Sequence, residues 1–147
     1  MSNLAAEGMT TRRENILARI KTNLDAITGA DVYRVKTTPL ARGEVPAIVL
    51  EPVSDDPNED SYVKTMWTLR IRCSVFVRND APGNAADAFV EEVHSKIMAD
   101  TTVNGYALDI DADTTNFSFF DADVPLGVVA MDYLVKYRTD REDLTAA

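Results

Sequence analysis

Five aspartates fall between Asp109 and Pro125, in the run DIDADTTNFSFFDADVP. Asp109, Asp111 and Asp113 are spaced by two, and Asp121 and Asp123 follow a short aromatic stretch. Carboxylates this close together suggest a hard-cation site, a pair of acid–base groups, or a charged surface. A calcium loop of the D-x-[DN]-x-[DN]-G-x5-E type needs Gly at its sixth place for a sharp turn and a bidentate Glu at its twelfth. Those places hold Thr114 and Phe120, so the calcium pattern fails. On a strand the three alternating aspartates share one side, away from Leu108 and Ile110. Like charges at that spacing repel, so that side must be wet or paired with cations, and Arg70 and Arg72 are candidate partners. Such alternation also guards a sheet edge against wrong pairing.

Other chemistry is sparse. His94 is the only histidine and borders a helical apolar stripe, which reads as a helix-surface residue and leaves no Ser-His-Asp set to build. Cys73 is the only cysteine, so no internal disulfide and no thiolate cluster can form, and zinc has no ligand set. The run GEVPAIV lacks the lysine of a phosphate-binding loop, and no G-x-G-x-x-G occurs. A metal-dependent hydrolase using the aspartate cluster is the enzymatic alternative. The reading adopted is a non-enzyme with no catalytic, cofactor-binding or metal residues.

The elements that position these side chains follow from periodicity. Thr11 and Glu14 fit a capping box, Ile16, Leu17, Ile20, Leu24 and Ile27 form one stripe, and Gly29 suits the residue after a helix, which gives a helix over 11–28. A short strand is expected at 32–36 and a loop over 37–46. AIVLE (47–51) reads as a strand covered on both faces and ended by Pro52. VSDDPNEDS (53–61) reads as a polar, mobile loop carrying Asp55, Asp56, Glu59 and Asp60.

Residues 62–78 are the clearest strand. Trp67, Leu69, Ile71, Cys73, Val75 and Val77 alternate with polar residues that include Arg70 and Arg72. So long a strand is expected to bend, bulge or project. Cys73 sits on the apolar side as a small buried hydrophobe, and Trp67 reads as core. NDAPGN (79–84) is a turn, and a second helix is expected over 85–99 with Asn84 as its N-cap and Ala86, Phe89, Val90, Val93 and Ile97 as its stripe. Three strands, about 106–110, 116–120 and 127–139, close the chain, with a turn at Thr114 and Thr115. The expected fold class is α+β, a mostly antiparallel sheet with two helices packed on one face, in the order α-β-β-β-α-β-β-β. One domain is expected over 1–147, flexible at 1–9 and 140–147.

The chain has 147 residues with 24 acids against 15 Lys and Arg, a net charge of −9. That argues against general phosphate-backbone binding, while an acidic wall lets nucleic acid pass without sticking. No secretory leader is apparent, and no window reaches the roughly 18 apolar residues of a membrane span. A protein made in the cytosol, with no membrane partner, is expected.

Long strands, an acidic surface and polar loops suit a component that assembles with copies of itself. RRENILARIKTNL near the start, VPAIVLEP in the middle and FFDADVPLGVVAMDYLVKYRTDREDL at the end resemble the tail terminator (minor tail protein U-like) family of long-tailed bacteriophages and prophages, over nearly the whole chain. The final strand running into YRTDRED carries most of the likeness. The resemblance implies a small α+β virion structural protein, made in the host bacterial cytoplasm, that forms a hexameric ring. The ring would cap the tail tube at the head-proximal end, stop its polymerisation and offer a surface to the head-completion or neck protein. DNA would pass through the lumen without specific binding, and no cofactor is implied. Another connector or stopper of the same neck is the alternative. For such a ring, Asp55, Asp56, Glu59, Asp60, Arg70 and Arg72 are the expected interface residues. Asp109, Asp111, Asp113, Asp121 and Asp123 would form an acidic lumen or partner surface.

Overall fold

Thr11 opens the first helix. Its Oγ1 accepts from the Glu14 amide at 3.1 Å, half of the expected capping box, while the Glu14 carboxylate turns instead to Arg34. In the computed structural model, which describes residues 10–35, 45–59 and 61–146, this helix is α1 (Arg12–Leu24). It stops short of the expected 28 because Asp25 caps it and a tight turn follows, which still buries Ile27. Gly29, at φ +90, serves that later turn rather than the helix end.

Five strands form one sheet in the order β1-β2-β3-β5-β4: β1 (Asp31–Arg34), β2 (Ala47–Glu59), β3 (Lys64–Arg78), β4 (Asp109–Phe120) and β5 (Leu126–Asp140). β1 and β2 are parallel and the other pairs antiparallel. Helix α2 (Pro82–Met98) crosses between β3 and β4 in sequence. Both helices pack on one side of the sheet, giving the expected α+β class. Ile16, Leu17, Ile20 and Leu24 of α1 and Ala86, Val93 and Ile97 of α2 join Ile48, Leu50, Leu69, Ile71, Cys73, Val75, Val129, Met131, Tyr133 and Val135 in a single core. Among the described residues the opposite side of the sheet carries no helix.

Several boundaries differ from expectation for identifiable reasons. Residues 47–50 are buried on both faces, as expected, but Pro52 does not end the strand. β1 pairs only with 47–50, so beyond Leu50 the outer side of β2 is a sheet edge, where a proline's missing N–H costs no ladder bond. The expected loop at 53–61 is therefore strand as far as Glu59. An irregularity between Pro52 and Ser54 leaves Val53 unpaired, which sets Asp55 opposite Leu69 on the helix-bearing side. In α2, Pro82 takes the first helical turn with Ala81 as cap, so Asn84 lies inside the helix rather than at its start.

At the C-terminal end, the strands expected at 106–110 and 116–120 are one strand, β4. Thr114 and Thr115 lack turn chemistry and are β-branched, so the chain absorbs its extra residue as a bulge between Ala112 and Thr115. Residues 141–146, expected to fray, turn back: the Arg12 amide donates to the Leu144 carbonyl at 2.9 Å. The expected flexible leader at 1–9 lies outside the described residues, as do 36–44 of the expected strand end and loop.

Candidate functional site

The helix-free side of the sheet carries a ladder of opposite charges. β3 and β5 place Arg72 directly across from Asp132, and period-two geometry points both away from the helices. Arg72 Nε donates to Asp132 Oδ1 at 2.8 Å and Arg72 Nη2 to Oδ2 at 3.2 Å. Arg70 Nη1 donates to the same carboxylate at 3.2 Å and reaches over β5 to bond Asp113 on β4. Asp132 is only 5% exposed, whereas the two arginines remain about a third exposed, at 32% and 36%. The hydrogen bond from Arg70 holds the Asp113 carboxyl below its ordinary range, and Asp113 in turn raises the Arg70 guanidinium.

The sequence offered Arg70 and Arg72 as partners of the aspartate cluster. Arg70 takes that role, while Arg72 is committed to Asp132. Asp132 is the residue that sequence reasoning missed as a site member. Its signal is the one acid in the apolar first part of β5, between Met131 and Tyr133, in register with an arginine.

The acids of β2 divide. Asp55 is nine-tenths buried and sits under α1, where Arg13 Nη1 donates to its Oδ2 at 3.0 Å and the Tyr137 hydroxyl donates to the same oxygen. Burial and this acid push the Tyr137 hydroxyl well above its ordinary range. The Tyr137 ring stacks on Trp67 at 6.3 Å, and Trp67 Nε1 donates to Thr139 Oγ1 at 2.9 Å. Trp67 thus packs against the core. Asp56, opposite Thr68, is exposed on the helix-free side. Glu59 ends β2, and Asp60 lies outside the described residues.

On β4, Asp109 and Asp111 line up across from Lys136 and Leu134 on the helix-free side. Asp111 makes a loose ion pair with Lys136 at 3.8 Å. Asp121 and Asp123 are exposed in the β4–β5 connection. The structure thus joins Asp113 to Arg70 and Arg72 through Asp132, keeps Asp109 and Asp111 on the same face, and leaves Asp55 on the other.

Cys73 lies in the core, and His94 is bonded to a core residue. Cys73 is buried, and burial pushes its thiol up to about 12. His94 is exposed on α2, with Nδ1 at 2.8 Å from the buried Tyr133 hydroxyl. Among the described residues no group of three or more His, Cys, Asp or Glu side chains converges as a metal would need. No helix among them is long and apolar enough to cross a membrane. An open cleft of about 520 Å³ lies between the β2–β3 connection and the C-terminal turn, lined by Tyr62, Val63, Asp140, Arg141, Glu142 and Asp143. This arrangement can present charge and apolar surface to another macromolecule.

No family model matches the chain, and no curated protein matches it by sequence. Its backbone is similar to that of a chain in a solved structure described as "Virion of native gene transfer agent (GTA) particle". The two are 13% identical, with a TM-score of 0.45, over 87% of this chain and 92% of that one.

Proposed function

We propose that this protein is a virion structural component of a long-tailed phage or prophage, a tail terminator whose copies close into a ring, a hexamer, at the head-proximal end of the tail tube. The observation that carries the reading is the helix-free sheet face. Strands of fifteen residues, about 50 Å long, present rows of arginine and carboxylate there, with no helix over them among the described residues. A face of fixed, opposite charges on a rigid sheet suits a repeated heterologous contact, because it sets register as well as attraction. The resemblance of the sequence to terminators supports the same reading.

In this proposal Asp56 and Glu59 of β2, and Asp60 after them in sequence, meet the Arg70 and Arg72 row of the next copy. Asp55 serves inside the protomer. Asp109, Asp111, Asp121 and Asp123 face the lumen or a neck partner. A negative lumen wall repels the phosphate backbone, so DNA slides through without binding.

Light scattering on the full chain, alone and with the tail tube protein, tests the ring. A mass several times 16.2 kDa is expected in at least one condition, and monomer in both would defeat it. Disrupting the gene in the source phage separates roles: overlong tails identify a terminator, whereas tails of normal length without heads identify another neck component.

A further inference from the structure

Among the described residues β4 is an edge strand along its entire length, paired only with β5, and of its twelve residues only Ile110 is buried. Its outer edge therefore offers backbone N–H and C=O groups to a further strand. Such edges are normally shortened, charged or broken by proline. This one does the opposite over residues 114–120, TTNFSFF, which hold no charge, no proline and no glycine. Phe117, Phe119 and Phe120 are exposed by 64%, 56% and 53%. Register places Phe117 and Phe119 on the helix-bearing side, across from Val129 and Gly127, and Phe120 on the other side. A strand added here would thus meet aromatic rings on both of its faces. Together the rings present on the order of 300 Å² of apolar surface, a patch of the size that marks interaction sites.

Charge decides what the edge accepts. The uncharged run is bracketed by Asp109, Asp111 and Asp113 before it and Asp121 after it. Asp113 is satisfied by Arg70, and Asp111 only loosely by Lys136. Asp109 and Asp121 hold no ion pair among the described residues. A second copy fits poorly. Parallel pairing in register would stack each aspartate on its copy, and antiparallel pairing centred on Phe117 would set Asp113 against Asp121. The net charge of −9 adds to that repulsion.

We propose that the β4 edge receives an extended segment of a different protein, apolar or β-branched over about six residues and carrying Lys or Arg at both ends, which adds a sixth strand beside β4. This does not rest on the ring reading: it shares Asp109, Asp111 and Asp121 with the acidic surface described there, but it concerns the backbone edge of β4, and its measurement differs from that of assembled mass.

The test uses the full chain and two synthetic probes, both capped at their termini. Each has three Thr-Val repeats, flanked by two lysines at each end in one and two glutamates in the other. Fluorescence anisotropy should show the lysine-flanked probe binding at least ~10-fold more tightly, with the difference shrinking as salt rises. Hydrogen exchange should slow at residues 114–120 on binding. The double variant Phe117→Ser/Phe119→Ser should lose at least ~10-fold in affinity with an unchanged melting temperature, since both rings are exposed. A second variant, Asp111→Lys/Asp121→Lys, should reverse the preference between probes. Equal binding of both probes, binding of neither, or protection confined to another strand would overturn the proposal. So would a wild-type dimer that the Phe117→Ser/Phe119→Ser variant abolishes.

Discussion

Asp132→Asn tests whether the charge ladder holds the sheet together or merely decorates it. The carboxylate accepts three hydrogen bonds from two arginines and is 5% exposed. Asparagine keeps the shape but removes the charge and turns an acceptor into a donor facing guanidinium. Orphaning a fully buried pair costs ~3–5 kcal/mol, whereas an exposed pair contributes at most ~1 kcal/mol. Here the acid is buried and the cations reach solvent along one side, so water recovers part of their loss. The expected cost lies between those limits, about 2 kcal/mol. For a chain of this size that lowers the melting temperature by about 4–8 °C. Urea unfolding followed by the fluorescence of Trp67, the only tryptophan, reads it directly, with the slope against denaturant unchanged. The double variant Arg72→Met/Asp132→Leu leaves neither charge of that pair alone and should return to within about 1 kcal/mol of wild type. A loss below about 0.5 kcal/mol for Asp132→Asn, or a double variant worse than the single, would refute the argument.

Gly127→Ala should destabilise by about 1–3 kcal/mol, because a Cβ there would stand 2.8 Å from the Pro82 Cβ and 3.4 Å from its carbonyl oxygen; wild-type thermal stability would show that the start of α2 can yield. Cys73 should resist a disulfide reagent at pH 8 in the folded protein and react fully in guanidinium, as its buried thiol is pushed up to about 12; rapid native labelling would contradict that burial. Tyr137→Phe should cost about 1–2 kcal/mol, since it removes a hydroxyl donor from buried Asp55 while Arg13 remains. The depressed carboxyl of Asp113 contributes stability that is complete above the ordinary carboxylate range, near pH 4, and lost as pH falls through its lower folded value. Melting temperature against pH should therefore decline more gently below about pH 4 in Asp113→Asn, and an unchanged decline would rule that contribution out.

Legibility followed periodicity. The apolar side of β3 was readable because every second residue from Leu69 to Val77 points into the core without interruption. The stripes of both helices were readable for the same reason. What escaped were the places where period two breaks. Nothing in VSDDPN signals a strand, since a proline and two acids are ordinary loop composition; only its position on a half-covered edge makes it one. The bulge at Val53 was equally silent, so Asp55 reads as a surface acid although it is held under α1. Of the candidate site, the pairing of Arg70 with the aspartate cluster was readable from strand alternation. The part played by Asp132 was not, because it needs the register that sets it across from Arg72, 60 residues away in sequence, which only tertiary pairing sets.

Bulges are also what sort the acids of this acidic chain. Without an extra residue in β2, alternation from Leu50 would place Asp55 beside Asp56's neighbours on the open face, with its charge spent in solvent; the extra residue turns it inward to Arg13 and Tyr137. The bulge in β4 falls between Ala112 and Thr115, next to the one aspartate of the cluster that Arg70 reaches. It also changes parity, so that Asp109 and Asp111 face the open side while Phe117 and Phe119, at odd positions too, face the helices. A regular β4 would have put acids and phenylalanines on one side, where the rings would be screened by carboxylates. The bulge instead moves Phe117 and Phe119 off the side of Asp109 and Asp111 and leaves Phe120 on it. That separation lets one edge offer apolar contact and cationic selectivity together, and a strand without the extra residue would return Phe117 and Phe119 to the side of the acids.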